Sequence, residues 1–199
     1  MSDTTRLLLA RHRAGDERAF AHLHERFGAA VLLWCELNMR PRLRALVDPA
    51  DIAQEIWCRV IASLPTFDGA RGRMRPWLFG IARHVMLDTL RRLYRRDLAR
   101  ASGVTVTLLR DPATTLVSAA SRREEVARML RIVSRLDDVS RAIVLRRGLE
   151  GYPHEAVAKE LGISSNAVEV RWRRLRTALR IHLDEPAVSA RTAEPGTAE

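Results

Sequence analysis

An all-α fold, with two small helical domains joined by a flexible linker, is what this 199-residue sequence predicts. Three observations lead there. Apolar residues recur at spacings of three and four over most of the chain, as on one face of a helix. Glycine and proline are sparse, and β-branched residues rarely cluster. The hydrophobic share is 47%, enough for packed cores, although only 5% of residues are aromatic.

The first long helix is expected over 16–38, where Phe20, Leu23, Phe27, Val31, Trp34 and Leu37 share a face and Asp16 offers an N-cap. A shorter helix over 6–13 precedes it. Asp48-Pro49 opens the second, a capping carboxylate followed by proline at the first helical position. Ile52, Ile56, Val60 and Leu64 form its inner face, and Pro65 stops it. A basic loop containing glycine, 66–75, leads into a third helix over 76–94 with Leu78, Ile81, Val85 and Leu93 inward. Over 97–121 the helical period lapses. The run from Val104 is briefly strand-like but too short to build a sheet, and Asp111-Pro112 marks a linker. Helical patterning returns over 124–136 and over 139–149, the latter closed by Gly151. A helix over 154–161, a turn at Gly162-Ile163-Ser164 and a longer helix over 165–183 then read as a helix-turn-helix. The expected units are a helical domain over 1–96, a linker over 97–121, a helix-turn-helix domain over 122–183 and a Pro/Ala/Thr-rich tail over 184–199 expected to be disordered.

The charge balance is strongly basic, 34 Lys+Arg against 24 Asp+Glu, and Lys159 is the single lysine. A GC-rich genome accounts for part of that choice of arginine. The excess of positive charge still favours a polyanion, since guanidinium pairs with phosphate bidentately. Cys35 and Cys58 lie in apolar helical stretches without metal-ligand spacing to a histidine, and both are expected to be buried thiols. Residues 1–9 are too short and polar for a signal peptide. No apolar run approaches the ~20 residues of a membrane span. A cytoplasmic protein without membrane insertion is expected.

Two regions carry candidate chemistry. In the helix-turn-helix, Ala158 is small where two helices approach, Gly162 takes the sharp turn, and Ile163 and Val168 fill the space between. The longer helix presents Ser165, Asn166, Glu169, Val170, Arg171, Arg173 and Arg174, with Arg176 and Arg180 beyond. Such a helix fits the major groove of DNA. Its blander reading is a helical hairpin with a solvated basic face. In the N-terminal half, Asp51, Gln54 and Glu55 cluster on the side of their helix opposite Ile52, Ile56 and Val60, a pattern that by itself is usually a wet surface. Arg71, Arg73, Arg75, Arg83, Arg91, Arg92, Arg95 and Arg96 crowd the next loop and helix, interleaved with Phe67, Trp77, Phe79 and Tyr94. Basic residues among aromatics suit unpaired DNA, whose bases can stack. For Trp77 and Phe79 a core role is preferred. No phosphate-cradling glycine loop, nucleophile elbow or metal-ligand pair is present in the sequence, so neither an enzyme nor a cofactor or metal is expected.

Taken in order, these segments resemble the extracytoplasmic-function sigma factors over about Ala14 to Leu183. Ala14-Gly-Asp-Glu-Arg-Ala-Phe-x-x-Leu is similar to the family's opening helix. Asp51-Ile-Ala-Gln-Glu-Ile-Trp-x-Arg-Val resembles the helix that grips the clamp coiled coil of the polymerase β′ subunit. Phe67-Asp, Arg75-Pro-Trp-Leu-Phe-Gly-Ile-Ala-Arg-His and Asp88-x-x-Arg-Arg resemble the segment that opens and reads the −10 promoter element. Residues 136–183 resemble the domain that reads the −35 element. The resemblance implies an all-α initiation factor whose partners are core RNA polymerase, through the β′ clamp and the β subunit, and promoter DNA; an anti-sigma protein is a further candidate. It implies that Asp51, Gln54 and Glu55 contact polymerase, and that Phe67, Arg71, Arg73, Arg75, Arg83, His84, Arg91 and Arg92 serve the −10 element, where the 64–75 loop would hold a flipped base. It implies that Ser165, Asn166, Glu169, Val170, Arg171, Arg173 and Arg174 serve the −35 element. The linker would thread toward the polymerase active centre. Three positions depart from the pattern: His84 replaces a common asparagine, Ala156 a usual glutamate (with Glu155 one place earlier), and Glu169 a commonly basic residue. A carboxylate there prefers a cytosine amino group over guanine, which bears on the promoter sequence.

Two rival readings fit less of the chain. A helix-turn-helix regulator that never joins polymerase explains 165–180 but leaves the Asp51-Gln54-Glu55 helix unexplained. A helical adaptor that binds only protein sits poorly with a net charge of +10.

Overall fold

The computed structural model describes residues 10–11, 16–69, 73–101 and 116–179. Asp16 caps the first helix, α1 (Glu17–Asn38), its side chain accepting from the Arg18 amide at 3.0 Å. A short helix, α2 (Pro41–Arg44), follows; its few residues carry no periodic signal and it was not expected. Asp48 caps α3 (Pro49–Ser63) through the Ala50 amide at 2.8 Å, with Pro49 at the first position. Pro65 sits inside a 3₁₀ turn (Leu64–Thr66) that closes it. Then come α4 (Met74–Ala101), α5 (Leu116–Val133) and α6 (Asp138–Ile143), the last running into a π-helical turn (Val144–Leu149). The helix-turn-helix is α7 (His154–Leu161) and α8 (Ser165–Leu179). No strand occurs among the described residues.

Both helices flanking the expected linker are longer than predicted. α4 continues through 97–101 and α5 begins at Leu116, so helix covers 97–101 and 116–121 as well. Residues 97–101 are rich in Ala, Leu and Arg and 116–121 contain two alanines and a leucine, residues of high helix propensity that need no apolar period to continue a helix. Residues 102–115, with the run from Val104 and Asp111-Pro112, lie outside the described residues. So do Arg180 and the tail, and all of the 6–13 helix except Ala10 and Arg11, which are helical.

Packing follows the predicted faces. Leu23, Phe27, Val31 and Trp34 of α1 are buried against Ile52, Ile56 and Val60 of α3 and Leu78, Phe79 and Val85 of α4. Trp34 and Phe79 meet at 6.0 Å between ring centroids. In the second half, Ile143, Leu149, Val157, Val168, Trp172 and Leu175 form the core. Each such side chain contributes about 1.5–3 kcal/mol when fully buried. α5 lies along α1, so the two halves share one apolar cluster through Val126, Met129 and Val133.

The tight turn of the helix-turn-helix has the geometry its glycine suggested. Gly162 takes φ 66°, ψ 30°, a left-handed conformation that costs glycine little. The Ile163 amide reaches back to the Ala158 carbonyl at 3.1 Å, and Ser164 Oγ accepts from the Ala167 amide at 3.1 Å to start α8. Asp137 caps α6 through the Ser140 amide at 2.8 Å and hydroxyl at 2.9 Å. Those hydrogen bonds hold its carboxyl below the ordinary value of 3.8.

Candidate nucleic-acid and polymerase interface

On α3 the sequence pattern divides inside from outside. Ile52, Ala53, Ile56, Trp57 and Val60 are buried, Asp51 and Gln54 are exposed, and Glu55 is half-buried. Glu55 is already engaged: its Oε2 accepts from Arg92 Nη2 at 2.7 Å, and the same guanidinium nitrogen donates to Thr89 Oγ1 at 2.9 Å. A residue expected to hold polymerase and one expected to hold DNA therefore form an ion pair.

The residues expected at the −10 element are scattered by environment. Phe67 is buried, 3% exposed, with its ring 4.7 Å from that of Trp77. The ring is therefore packed against Trp77 and not laid open on the surface. Trp77 is half-buried and Phe79 fully buried, as preferred for core residues. Arg71 lies outside the described residues. His84 is exposed, its Nδ1 2.8 Å from the Gly80 carbonyl. Arg91 is exposed and paired with Asp88 at 3.0 Å.

Arg73, Arg75 and Arg83 have partners that nothing in the sequence announced. Arg73 Nη2 donates to the Gly151 carbonyl at 3.0 Å and Arg75 Nη1 to the Gly148 carbonyl at 2.6 Å. Arg83 Nη2 donates to the Tyr152 hydroxyl at 3.1 Å, with its guanidinium 5.9 Å from the Tyr152 ring centroid. Beside them, the indole N–H of Trp34 donates to Glu150 Oε1 at 2.9 Å, both groups buried. Arg146 Nη1 lies 3.0 Å from Glu150 Oε2, and Arg83 Nη2 3.6 Å from it. Burial works against the Arg146 cation, but Glu150 and Glu160 outweigh it and raise its pKa.

The recognition helix α8 turns Val168, Trp172, Leu175 and Leu179 inward. Asn166, Glu169, Arg171, Arg173 and Arg174 are exposed, and Ser165 and Val170 are half-buried. Val170, Arg173, Arg174, Thr177 and Ala178 line a shallow groove. Arg171 is turned partly away, its Nη1 3.6 Å from Asp137 Oδ1. The two thiols differ: Cys35 is buried, its pKa pushed up by burial, but Cys58 is exposed, against expectation, because it lies on the outer side of α3.

A helical half with an exposed acid-amide stripe, and a helix-turn-helix with arginines outward, define a DNA-binding partner protein. The comparisons agree. Sigma-70 region 2 matches residues 39–96 and Sigma-70, region 4 matches residues 127–179. RNA polymerase sigma factor NccH of Alcaligenes xylosoxydans xylosoxydans is 32% identical over 182 residues, 90% of this chain and 95% of its own. ECF RNA polymerase sigma factor SigX of Bacillus subtilis is 29% identical over 67% of this chain and 70% of its own. RNA polymerase sigma factor CnrH of Cupriavidus metallidurans, 31% identical by sequence, has been solved in complex with the cytosolic domain of CnrY. That structure covers 89% of this chain and 96% of its own, at 28% identity and a TM-score of 0.42. The chain belongs to the extracytoplasmic-function sigma factors of the sigma-70 family. It is an initiation factor that directs core RNA polymerase to promoter DNA.

Proposed function

We propose that the work of this sigma factor is divided among three surfaces. Asp51, Gln54 and Glu55 on α3 hold the β′ clamp. The 66–75 loop and the arginines of α4 bind the melted −10 strand, with His84 at the edge of the site and Phe67 as the loop's anchor. The outward face of α8 reads the −35 element. The N-terminal unit ends within α4 and the helix-turn-helix unit begins within α5, a division close to 1–96 and 122–183. All of this is binding, with no catalytic, metal or cofactor site of its own, and it takes place in the cytoplasm beside polymerase. No helix among the described residues is long and apolar enough to cross a membrane. CnrH was solved with the cytosolic domain of CnrY, and a regulatory protein partner is proposed for this chain as well.

The observation that carries this reading is the outward face of α8, with Asn166, Glu169, Arg173 and Arg174 exposed above the buried Val168 and Trp172. Glu169→Arg replaces a group suited to a cytosine amino donor with one suited to guanine acceptors, worth ~1–3 kcal/mol at one base pair. Selection from a randomised −35 library should return a different preferred base with the variant holoenzyme. Identical preferences would remove Glu169 from the reading surface.

A further inference from the structure

His84 is held in a way that decides its chemistry. Leu78, Phe79, Ala82 and Val85 are buried on the inner side of α4, so the core sets the direction in which the exposed His84 leaves the helix. Its Nδ1 lies 2.8 Å from the Gly80 carbonyl, one helical turn back. A carbonyl oxygen can only accept. In the neutral ring the proton therefore sits on Nδ1, and Nε2 keeps a bare lone pair. Its charged neighbours on α4 are turned to other partners. Arg83 donates to the Tyr152 hydroxyl, and Asp88, four residues on, takes the Arg91 guanidinium at 3.0 Å.

The asparagine that is common at this position in the family has a different repertoire. Its amide carries both a donor and an acceptor and can turn either one toward a base. The tied imidazole has no such choice. Its Nε2 can accept from a base amino group, but against a base carbonyl it sets lone pair to lone pair. Adenine and cytosine carry an amino group at N6 and N4, where guanine and thymine carry the carbonyl oxygens O6 and O4. A phosphate oxygen is an acceptor too, so the neutral ring is no match for the backbone either. Because the Gly80 hydrogen bond already orients the ring, little side-chain freedom is lost when a base meets it.

We propose that His84 is a specificity-determining residue: with Nδ1 held by Gly80, its Nε2 selects an amino-bearing base, adenine or cytosine, over guanine or thymine at one position of the −10 element. This rests on the placement of His84 at the edge of the −10 site, and it adds the chemical group that His84 recognises there. The departure from asparagine thereby narrows the set of promoters that the factor accepts.

The test uses holoenzyme reconstituted with core RNA polymerase. Selection from a library randomised over the −10 element, with the parent and with His84→Asn, should reveal one position at which the two profiles differ. There the parent should prefer adenine or cytosine, and the variant should accept guanine and thymine as well. The second arm leaves the protein untouched. On a promoter whose −10 stretch is already unpaired, the preferred base is replaced by its analogue with hydrogen in place of the amino group. Parent affinity should fall roughly 2–10-fold, the span of one neutral hydrogen bond. Holoenzyme carrying His84→Ala should show no such fall, since the partner of that group is already gone. A parent preference for guanine or thymine at that position would overturn the proposal, as would a parent indifferent to loss of the amino group; both results leave His84 at the −10 site. A −10 profile that neither His84→Asn nor His84→Ala changes at any position would instead remove His84 from that site, and the proposal with it.

Discussion

Phe67→Ala removes a ring that is 3% exposed and packed 4.7 Å from Trp77. Truncating a buried phenylalanine costs ~3–5 kcal/mol, a figure that includes the ~0.5–1.5 kcal/mol of its aromatic pairing. The site borders a loop, where neighbours can close part of the cavity, so the lower end applies, about 3 kcal/mol. For a chain of this size that is a fall in melting temperature of roughly 6–12 °C. A base-stacking role predicts the opposite pattern: a stability change within about ±0.5 kcal/mol and a loss of ~1–3 kcal/mol in binding single-stranded DNA. Urea titration followed by tryptophan fluorescence distinguishes them, provided the slope with denaturant is unchanged. A variant less than about 1 kcal/mol below the parent in stability, yet markedly weaker on the −10 strand, would refute the anchor role and put the ring back on the DNA surface.

Two local changes test the turns that position α6 and α8. At Gly162 an added Cβ meets nothing within 4 Å, so Gly162→Ala should cost only the left-handed backbone strain, ~1–2 kcal/mol by urea titration; no measurable loss would mean that the turn relaxes to another conformation. Asp137→Ala should lower the urea midpoint near neutral pH by removing the cap on Ser140. Because the folded-state pKa of Asp137 lies below 3.8, its contribution is complete above that value and is lost as pH falls through the lower folded one. The gap between parent and Asp137→Ala should therefore narrow in acid, and a gap that widens below pH 3.8 would contradict the capping account.

Local chemistry was legible where one residue type has one common use. Asp16, Asp48-Pro49 and Gly162 each announced a boundary, and each does there what its chemistry allows. The inward faces of α1 and α3, and Val168 of α8, were legible for the same reason, since a 3.6-residue period has one structural meaning. The ends of α4 and α5 were not, because the sequence over 97–101 and 116–121 has no apolar period to reveal the helix that is there. Phe67 and Trp77 at the two ends of the loop fit an anchor to the core as well as a DNA contact, and the burial of the Phe67 ring is what sequence could not supply. The Trp34–Glu150 hydrogen bond joins residues 116 apart, and periodicity reports nothing at that range. The only hint was an acid standing between Leu149 and Gly151 at the end of an apolar run.

Arg73, Arg75, Arg91 and Arg92 each have a partner inside the molecule, and those partners are of a particular strength. Arg92 holds Glu55 at 2.7 Å, but the two side chains are 47% and 34% exposed, and solvent-exposed ion pairs are worth only ~0–1 kcal/mol. Arg91 and Asp88 are more exposed still, at 67% and 48%. Arg73 and Arg75 use backbone carbonyls, neutral acceptors without the negative charge and bidentate geometry that a phosphate offers a guanidinium. Each of these four cations thus has a neutral or solvent-exposed partner. Glu150 is the exception in this region, 1% exposed and gripped by Arg146 within its own half. Its partners come from both halves, Arg146 from its own and Trp34 and Arg83 from the other.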